Sequence, residues 1–156
     1  MDNNENIEAI KHLKYRYFRL LDQKRLDELS QLMLPDCSTD YHDGRYSYED
    51  RDSLMAFLRG NIGRRNLMSM HHGNHPEIEL LSDSEARATW YLHDIVIDLE
   101  HEVRLEGNGF YEDRYRKIDG RWYIAHTGYK RTFELVQPLG KMLHLYNGFE
   151  EGAFEA

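Results

Sequence analysis

The hydrophobic period of this 156-residue chain changes once, near residue 67, and that switch constrains the fold more than any other feature. Before it, apolar residues recur at three- and four-residue steps. Ile7, Ile10, Leu13, Tyr17, Leu20 and Leu21 form one such stripe, which predicts an amphipathic helix over residues 7–20. Leu26, Leu29, Leu32 and Met33 predict a second, short helix, stopped soon after by Pro35. A third begins at the cap candidates Asp50 and Asp52, carries Leu54, Met55, Phe57 and Leu58, and meets Gly60. Between the last two, residues 39–41 and 46–48 flank His42-Asp43-Gly44 and read as a small hairpin.

After residue 67 the period is two. Ile78 and Leu80 alternate with Glu77 and Glu79, then Ala86, Ala88, Trp90, Leu92 and Val96 with Arg87, Thr89, Tyr91 and His93. A further run sets Val103, Leu105, Gly107, Gly109, Tyr111 and Tyr115 against Arg104, Glu106, Glu112 and Arg114. Ser82-Asp83-Ser84 turns the chain, and Asp119-Gly120 is a two-residue hairpin signal leading into a last strand over residues 121–133. Helices first and a meander after predict an α+β fold: a curved antiparallel sheet wrapped against three N-terminal helices. Strands this long require curvature, and Gly107 and Gly109 sit where a bend or bulge belongs. A curved sheet closed by helices encloses a cavity. One domain over residues 1–135 is expected. In the tail, residues 136–156, Met142, Leu143, Leu145, Tyr146 and Phe149 suit packing on the cavity mouth or on a neighbouring subunit.

Charge and cysteine usage narrow the function classes. Twenty basic against 28 acidic side chains give a net charge of −8, which argues against a nucleic-acid groove. The basic cluster Arg59, Arg64 and Arg65 is too short to overturn this and reads as a solvated loop. No apolar run approaches the ~18 residues of a membrane span, and the acidic N-terminus lacks the segments of a secretory signal. Cys37 is alone, so no intrachain disulfide forms and a cytoplasmic location is expected. Without the flanking signature of a nucleophile, Cys37 reads as a buried small hydrophobe.

Chemistry concentrates in a few residues. Counting in twos from Ala86 puts Asp94 on the apolar face of its strand, with Trp90, Leu92 and Val96. A carboxylate there costs several kcal/mol unless paired, the setting in which burial and a partner tune a functional group. Tyr17 lies in the middle of the first helical stripe, where a phenol needs a partner and can donate to a substrate oxygen. Asp22 follows five residues on, about 140° further round, so only a helix end there could turn it inward. His71, His72 and His75 are the densest imidazole cluster. Gly73 and Pro76 exclude a helix, and neighbours on a strand point to opposite faces, so a shared metal ion is not expected. One cavity-facing histidine acting as acid or base fits better, and the pattern leaves open which of the three it is. Arg131 follows Tyr123, Ala125, Thr127 and Tyr129 in phase on the last strand. There it is a fixed cation that could balance Asp94 or Asp22 or hold an anionic group.

These residues, in this order and spacing, carry a resemblance. The runs Ile7-Glu8-Ala9-Ile10, Tyr17-Phe18-Arg19 and Leu21-Asp22, then Met70-His71, Pro76-Glu77-Ile78, Trp90-Tyr91-Leu92 and Asp94 are similar to the SnoaL-like branch of the nuclear-transport-factor-2-like superfamily. So are Asp113-Arg114-Tyr115, Asp119-Gly120, Trp122-Tyr123-Ile124, Thr127-Gly128-Tyr129 and Arg131. That branch includes the bile acid 7α-dehydratases and, more distantly, scytalone dehydratases. The resemblance implies a cone-shaped barrel with a deep pocket. It also implies a site of Tyr17, Asp22, His71, Asp94 and Arg131, preferring His71 over His72 and His75. The chain departs from the family pattern at Asn74, where a second histidine is usual, and at Asp94, where the scytalone enzyme carries a histidine. The implied activity is that of a cofactor-independent dehydratase, with no metal, on a hydroxylated, carbonyl-bearing polycyclic substrate, which could be a CoA ester. His71 would be the base, oriented by Asp94, with Tyr17 on the developing oxyanion and Asp22 holding Tyr17 or a water. An isomerase or cyclase, a non-catalytic binding module and a small subunit beside an iron-containing partner are the alternatives. A homo-oligomer is expected, dimer or trimer.

Overall fold

The computed structural model describes residues 2–154. The first helix, α1 (Asn3–Asp22), starts in a capping box: Asp2 accepts from the Glu5 N–H at 2.8 Å and Glu5 accepts from the Asp2 N–H at 2.8 Å. The stripe read from the sequence is the buried face, with Ile10, Leu13, Tyr17, Leu20 and Leu21 all in the core. A short α2 (Leu26–Ser30) follows, then β1 (Met33–Tyr41), β2 (Tyr46–Tyr48), α3 (Arg51–Gly60), β3 (Leu67–Leu80), β4 (Glu85–Asp98), β5 (Val103–Ile118) and β6 (Arg121–Pro138). Asp50 caps α3 by accepting the Ser53 N–H at 2.8 Å. None of these helices is long and apolar enough to cross a membrane.

All six strands form one curved sheet in the order β2-β1-β6-β5-β4-β3, with the helices against it. Several expectations need correction. The sheet is mixed, because β1 runs parallel to β6, pairing Thr39 with Thr127 and Asp40 with Gly128. Its edges, β2 and β3, do not meet, so the cone is open and not a closed barrel. The second helix ends at Ser30; Leu32 and Met33 are buried beyond it, and Met33 opens β1. Pro35 therefore lies inside a strand, in the stretch between Met33 and Ser38 where pairing with β6 is interrupted. The basic cluster is not simply solvated: Arg64 is bound to Asp98 at 2.6 Å and also to Glu100, and Arg59 to Asp27 at 2.7 Å.

Three irregularities set the curvature. Asp119 (φ 49°) and Gly120 (φ 79°) make the expected tight hairpin turn between β5 and β6. The β5–β6 register slips at Asn108/Gly109 and again at Arg114/Tyr115. The second slip leaves Ala125 unpaired and reverses the inward phase of β6. Trp122 and Ile124 are buried before it and Thr127 after it, so Tyr123 and Ala125 do not share a face with Arg131. Gly107 lies under the Arg131 side chain: a Cβ there would collide with the guanidinium and stand 3.0 Å from Asp94 Oδ1. Beyond β6 the chain rests on the end of α1 and the α3–β3 connection. Asn147 Nδ2 donates to the Arg65 carbonyl at 3.0 Å, and Phe149 lies under the Lys24 ammonium at 4.5 Å.

Candidate active site

Helices and sheet enclose a cavity of about 330 Å³. Leu21, Leu58, Ile62, Leu67, Val96 and Leu105 supply apolar wall, and Tyr17, Tyr41, Tyr111 and Tyr129 supply a cluster of phenols. The charged and titratable lining is His42, Arg45, His71, Asp94, Arg131 and Glu134.

Asp22 is the last residue of α1, and the helix end turns its carboxylate onto β3. There Oδ1 accepts from His71 Nδ1 at 2.6 Å and from the Ser69 hydroxyl at 2.8 Å, while Oδ2 accepts the His71 backbone N–H at 2.8 Å. The carboxylate thus fixes the imidazole by three donors, with the ring proton on Nδ1. The opposite nitrogen, Nε2, has no protein partner among the described residues, and His71 lines the cavity. The neighbouring imidazoles lie elsewhere: His72 faces His93 at a ring distance of 6.3 Å, and His75 packs edge-on to Tyr91 at 5.7 Å. Among the described residues no three His, Cys, Asp or Glu side chains gather as a metal site.

The expected partnership of His71 with Asp94 is not formed. The two are cross-strand neighbours in the β3–β4 register, yet both Asp94 oxygens are taken by Arg131, at 2.5 Å to Nη1 and 2.8 Å to Nη2. Asp94 is only 3% exposed, so a bidentate guanidinium is the stronger competitor for its carboxylate. Burial opposes the charge of Arg131, but Asp94 outweighs it and holds the guanidinium pKa above its usual value. Glu134 adds a second acid, 3.4 Å from Arg131 Nε. Asp22, expected to hold Tyr17 or a water, holds His71 instead.

Tyr17 shares a hydrogen bond of 2.6 Å with the Tyr41 hydroxyl, a partner the sequence did not disclose. Burial is the main force raising the pKa of both phenols, and it lifts Tyr129 to about 12, so all three remain protonated donors at working pH. A second buried ion pair was also missed. Lys14 is 0% exposed, its Nζ 2.8 Å from Asp113 Oδ2 and 3.3 Å from Thr127 Oγ1, boxed between the rings of Tyr111 (3.7 Å) and Tyr17 (4.3 Å). Burial lowers the Lys14 pKa, against the pull of Asp113. Counting in twos along β5 from Tyr111 would have marked Asp113, as it marked Asp94. Cys37 is fully buried, as expected, and burial pushes its thiol up to about 12.

The SnoaL-like domain family matches residues 3–128. A scytalone dehydratase-like protein from Novosphingobium aromaticivorans DSM 12444 is 24% identical with a TM-score of 0.79, over 90% of this chain and 97% of that one. The type-3 hexachlorocyclohexane dehydrochlorinase of Novosphingobium barchaimii LL02 is 15% identical with a TM-score of 0.79, over 93% and 97%. A protein with a cystatin-like fold from Nostoc punctiforme PCC 73102 is 21% identical with a TM-score of 0.62, over 79% and 88%. At these identities the structural likeness is one of fold. With the family matched across four-fifths of its length and a curved sheet packed on three helices, the chain belongs to the SnoaL-like domain family.

Proposed function

We propose that the protein is a cofactor-independent lyase, a dehydratase that removes water from a hydroxylated, carbonyl-bearing polycyclic substrate. The observation that carries this reading is the Asp22–His71 pair, which leaves a basic nitrogen free at the wall of a phenol-lined apolar cavity. His71 Nε2 takes a proton from the carbon beside the carbonyl, and the electron pair moves into the enolate. Asp22 stabilises the imidazolium formed at that moment. Tyr17 and Tyr41 donate hydrogen bonds to the enolate oxygen or the departing hydroxyl. When the enolate collapses, the carbon–oxygen bond breaks and the hydroxyl leaves as water, carrying the proton returned by His71. No metal is required, since the carbonyl accepts the charge. General acid–base catalysis contributes roughly 10²–10⁴-fold, and preorganised phenols in an apolar cavity add to it. Asp94 and Arg131 form the charged wall beside this pair. Two fold neighbours named for eliminations, a dehydratase and a dehydrochlorinase, support the reaction class.

The test is incubation with a panel of hydroxy-keto polycycles, steroid-like and polyketide-like, free and as CoA esters, followed by mass spectrometry. Loss of one water that disappears in His71→Ala supports the dehydratase. Product of unchanged mass with the same His71 dependence supports an isomerase or cyclase. Binding without turnover supports a binding module. A cytoplasmic homo-oligomer belongs to the same proposal; exposed Phe133, Leu135 and Val136 on β6 support the oligomer. We assign the stretch of the tail before its docked Asn147 and Phe149, where Leu143 and Tyr146 are also exposed, to the neighbouring subunit. Truncation after Gln137 would then change the assembly seen by light scattering.

A further inference from the structure

We propose that Arg45, at the cavity mouth, anchors an anionic group of the ligand. The substrate is then amphipathic, with apolar rings inside and a carboxylate, sulfate or phosphate ester at the rim. This deepens the function proposed above but rests only on the cavity being a ligand site, not on the reaction.

The charges of the cavity wall carry the inference. Asp94 is bound by Arg131, and Glu134 receives His42 Nε2 at 3.3 Å and Arg131 Nε at 3.4 Å. His71 is held by Asp22. Arg131, doubly faced by acids, has no charge left to offer a ligand. Arg45 is the one cation of the wall with no carboxylate in ion-pair reach among the described residues; its recorded neighbour is the Tyr46 ring, 5.6 Å away.

Arg45 also stands on a held turn. His42, Asp43 and Gly44 occupy the left-handed region (φ 53°, 57° and 85°), and the Arg45 N–H closes the turn on the His42 carbonyl at 3.1 Å. The turn is tied to β6, because Asp43 N–H donates to the Tyr129 carbonyl at 3.2 Å and Arg131 N–H to Asp43 Oδ2 at 3.4 Å. Tyr46 is stacked on Phe57 at 5.1 Å. The Arg45 backbone is therefore positioned before a ligand arrives, while the exposed guanidinium stays hydrated at little cost. An anion meeting it gains a charge-assisted, planar hydrogen-bonded contact. A net charge of −8 repels anions from the molecule as a whole, so an anionic ligand needs a local cation at the entrance.

The experiment uses two fluorescent probes with the same rings, 8-anilinonaphthalene-1-sulfonate and its uncharged counterpart N-phenyl-1-naphthylamine. Both are titrated into the full-length protein and into Arg45→Gln, Arg45→Glu and Leu105→Trp. Leu105 lines the cavity, so the added ring reports whether the probes bind inside. Val96→Phe serves if Leu105→Trp does not fold. In Arg45→Gln the sulfonate is expected to weaken ~5- to 20-fold relative to the neutral probe, in line with a partly solvated charge-assisted contact. Arg45→Glu should weaken it further, and the cavity variant should weaken both probes. If Arg45→Gln leaves the ratio unchanged while the cavity variant weakens both, the anchor is wrong and the cavity reading stands. If the cavity variant changes neither, or neither probe binds, the anchor and the ligand site fall together.

Discussion

Asp22 and His71 lie 49 positions apart in the chain, yet Asp22 Oδ1 is 2.6 Å from His71 Nδ1. The terminus of α1 delivers the carboxylate to β3, so helix docking and imidazole orientation are a single event. His71→Ala is expected to lower turnover by at least ~10²-fold, the lower end for a lost general base. Asp22→Asn should cost a comparable factor, because an amide can select the wrong tautomer. The double mutant should lose no more than His71→Ala alone, since an orienting group has nothing left to orient. Losses that multiply, measured as kcat/KM on the substrate found by the panel, would separate the two residues.

Asp94 and Arg131 should behave as a unit of stability. Arg131→Met strands a buried carboxylate and is expected to cost about 3–5 kcal/mol in urea unfolding. The double variant Asp94→Leu/Arg131→Met should be less damaging than Arg131→Met, because it removes both charges. Gly107→Ala should destabilise by about 1–3 kcal/mol, as a methyl group there displaces the guanidinium. A double variant as unstable as the sum of the singles would count against the pair.

The two phenols call for a different signature. Tyr17→Phe and Tyr41→Phe each remove one hydroxyl of a mutual hydrogen bond, worth about 0.5–1.5 kcal/mol of stability. Turnover is expected to fall by roughly tenfold or more with only a small shift in unfolding midpoint. Burial lifts both phenols above their ordinary pKa, so the rate should show no loss from phenol ionisation as pH rises to 10. An alkaline limb near pH 9 that vanishes in Tyr17→Phe would contradict this.

The period switch near residue 67 carried the α+β order, the long first helix, the β5–β6 hairpin and the inward face of Asp94. What it could not carry was anything set by a slip or an end. The unpaired Ala125 reverses the phase of β6, so the approach to Arg131 was counted on the wrong face before it. The parallel pairing of β1 with β6 joins segments almost ninety positions apart, and no local pattern encodes it. In the site, Asp94 was found by strand parity, with Arg131 left open as the partner of either Asp94 or Asp22. Two carboxylates, Asp22 and Asp94, and two candidate donors, His71 and Arg131, were open to one another, and only three-dimensional placement sorts them into pairs. Asp113 obeyed the same parity and shows that the signal was present for the Lys14 pair as well.

Acid stability should report on Asp98. Burial would raise its carboxyl pKa, but hydrogen bonds from Arg64 and His101 outweigh burial and hold it at about 2, from an ordinary 3.8. Its contribution, about 2 kcal/mol, is fully present above pH 4 and is lost as pH falls through 2. Asp98→Asn should therefore be less stable than the parent at pH 7 by about that amount. The difference should shrink between pH 4 and pH 2 in chemical denaturation. A constant difference across that range would assign the effect to packing.

The parallel pairing of Thr39 with Thr127 also has a consequence during synthesis. β1 has only the three-residue β2 beside it until β6 leaves the ribosome, 127 − 39 = 88 residues later. At ~5–20 residues per second that delay is roughly 4–18 s. Throughout it Leu32 and Met33, buried in the finished molecule, lack their β6 partner: the Leu32 carbonyl accepts the Ile124 N–H and Met33 pairs with Ile124. The core that β1 shares with the helices is therefore completed only by the last strand to be made.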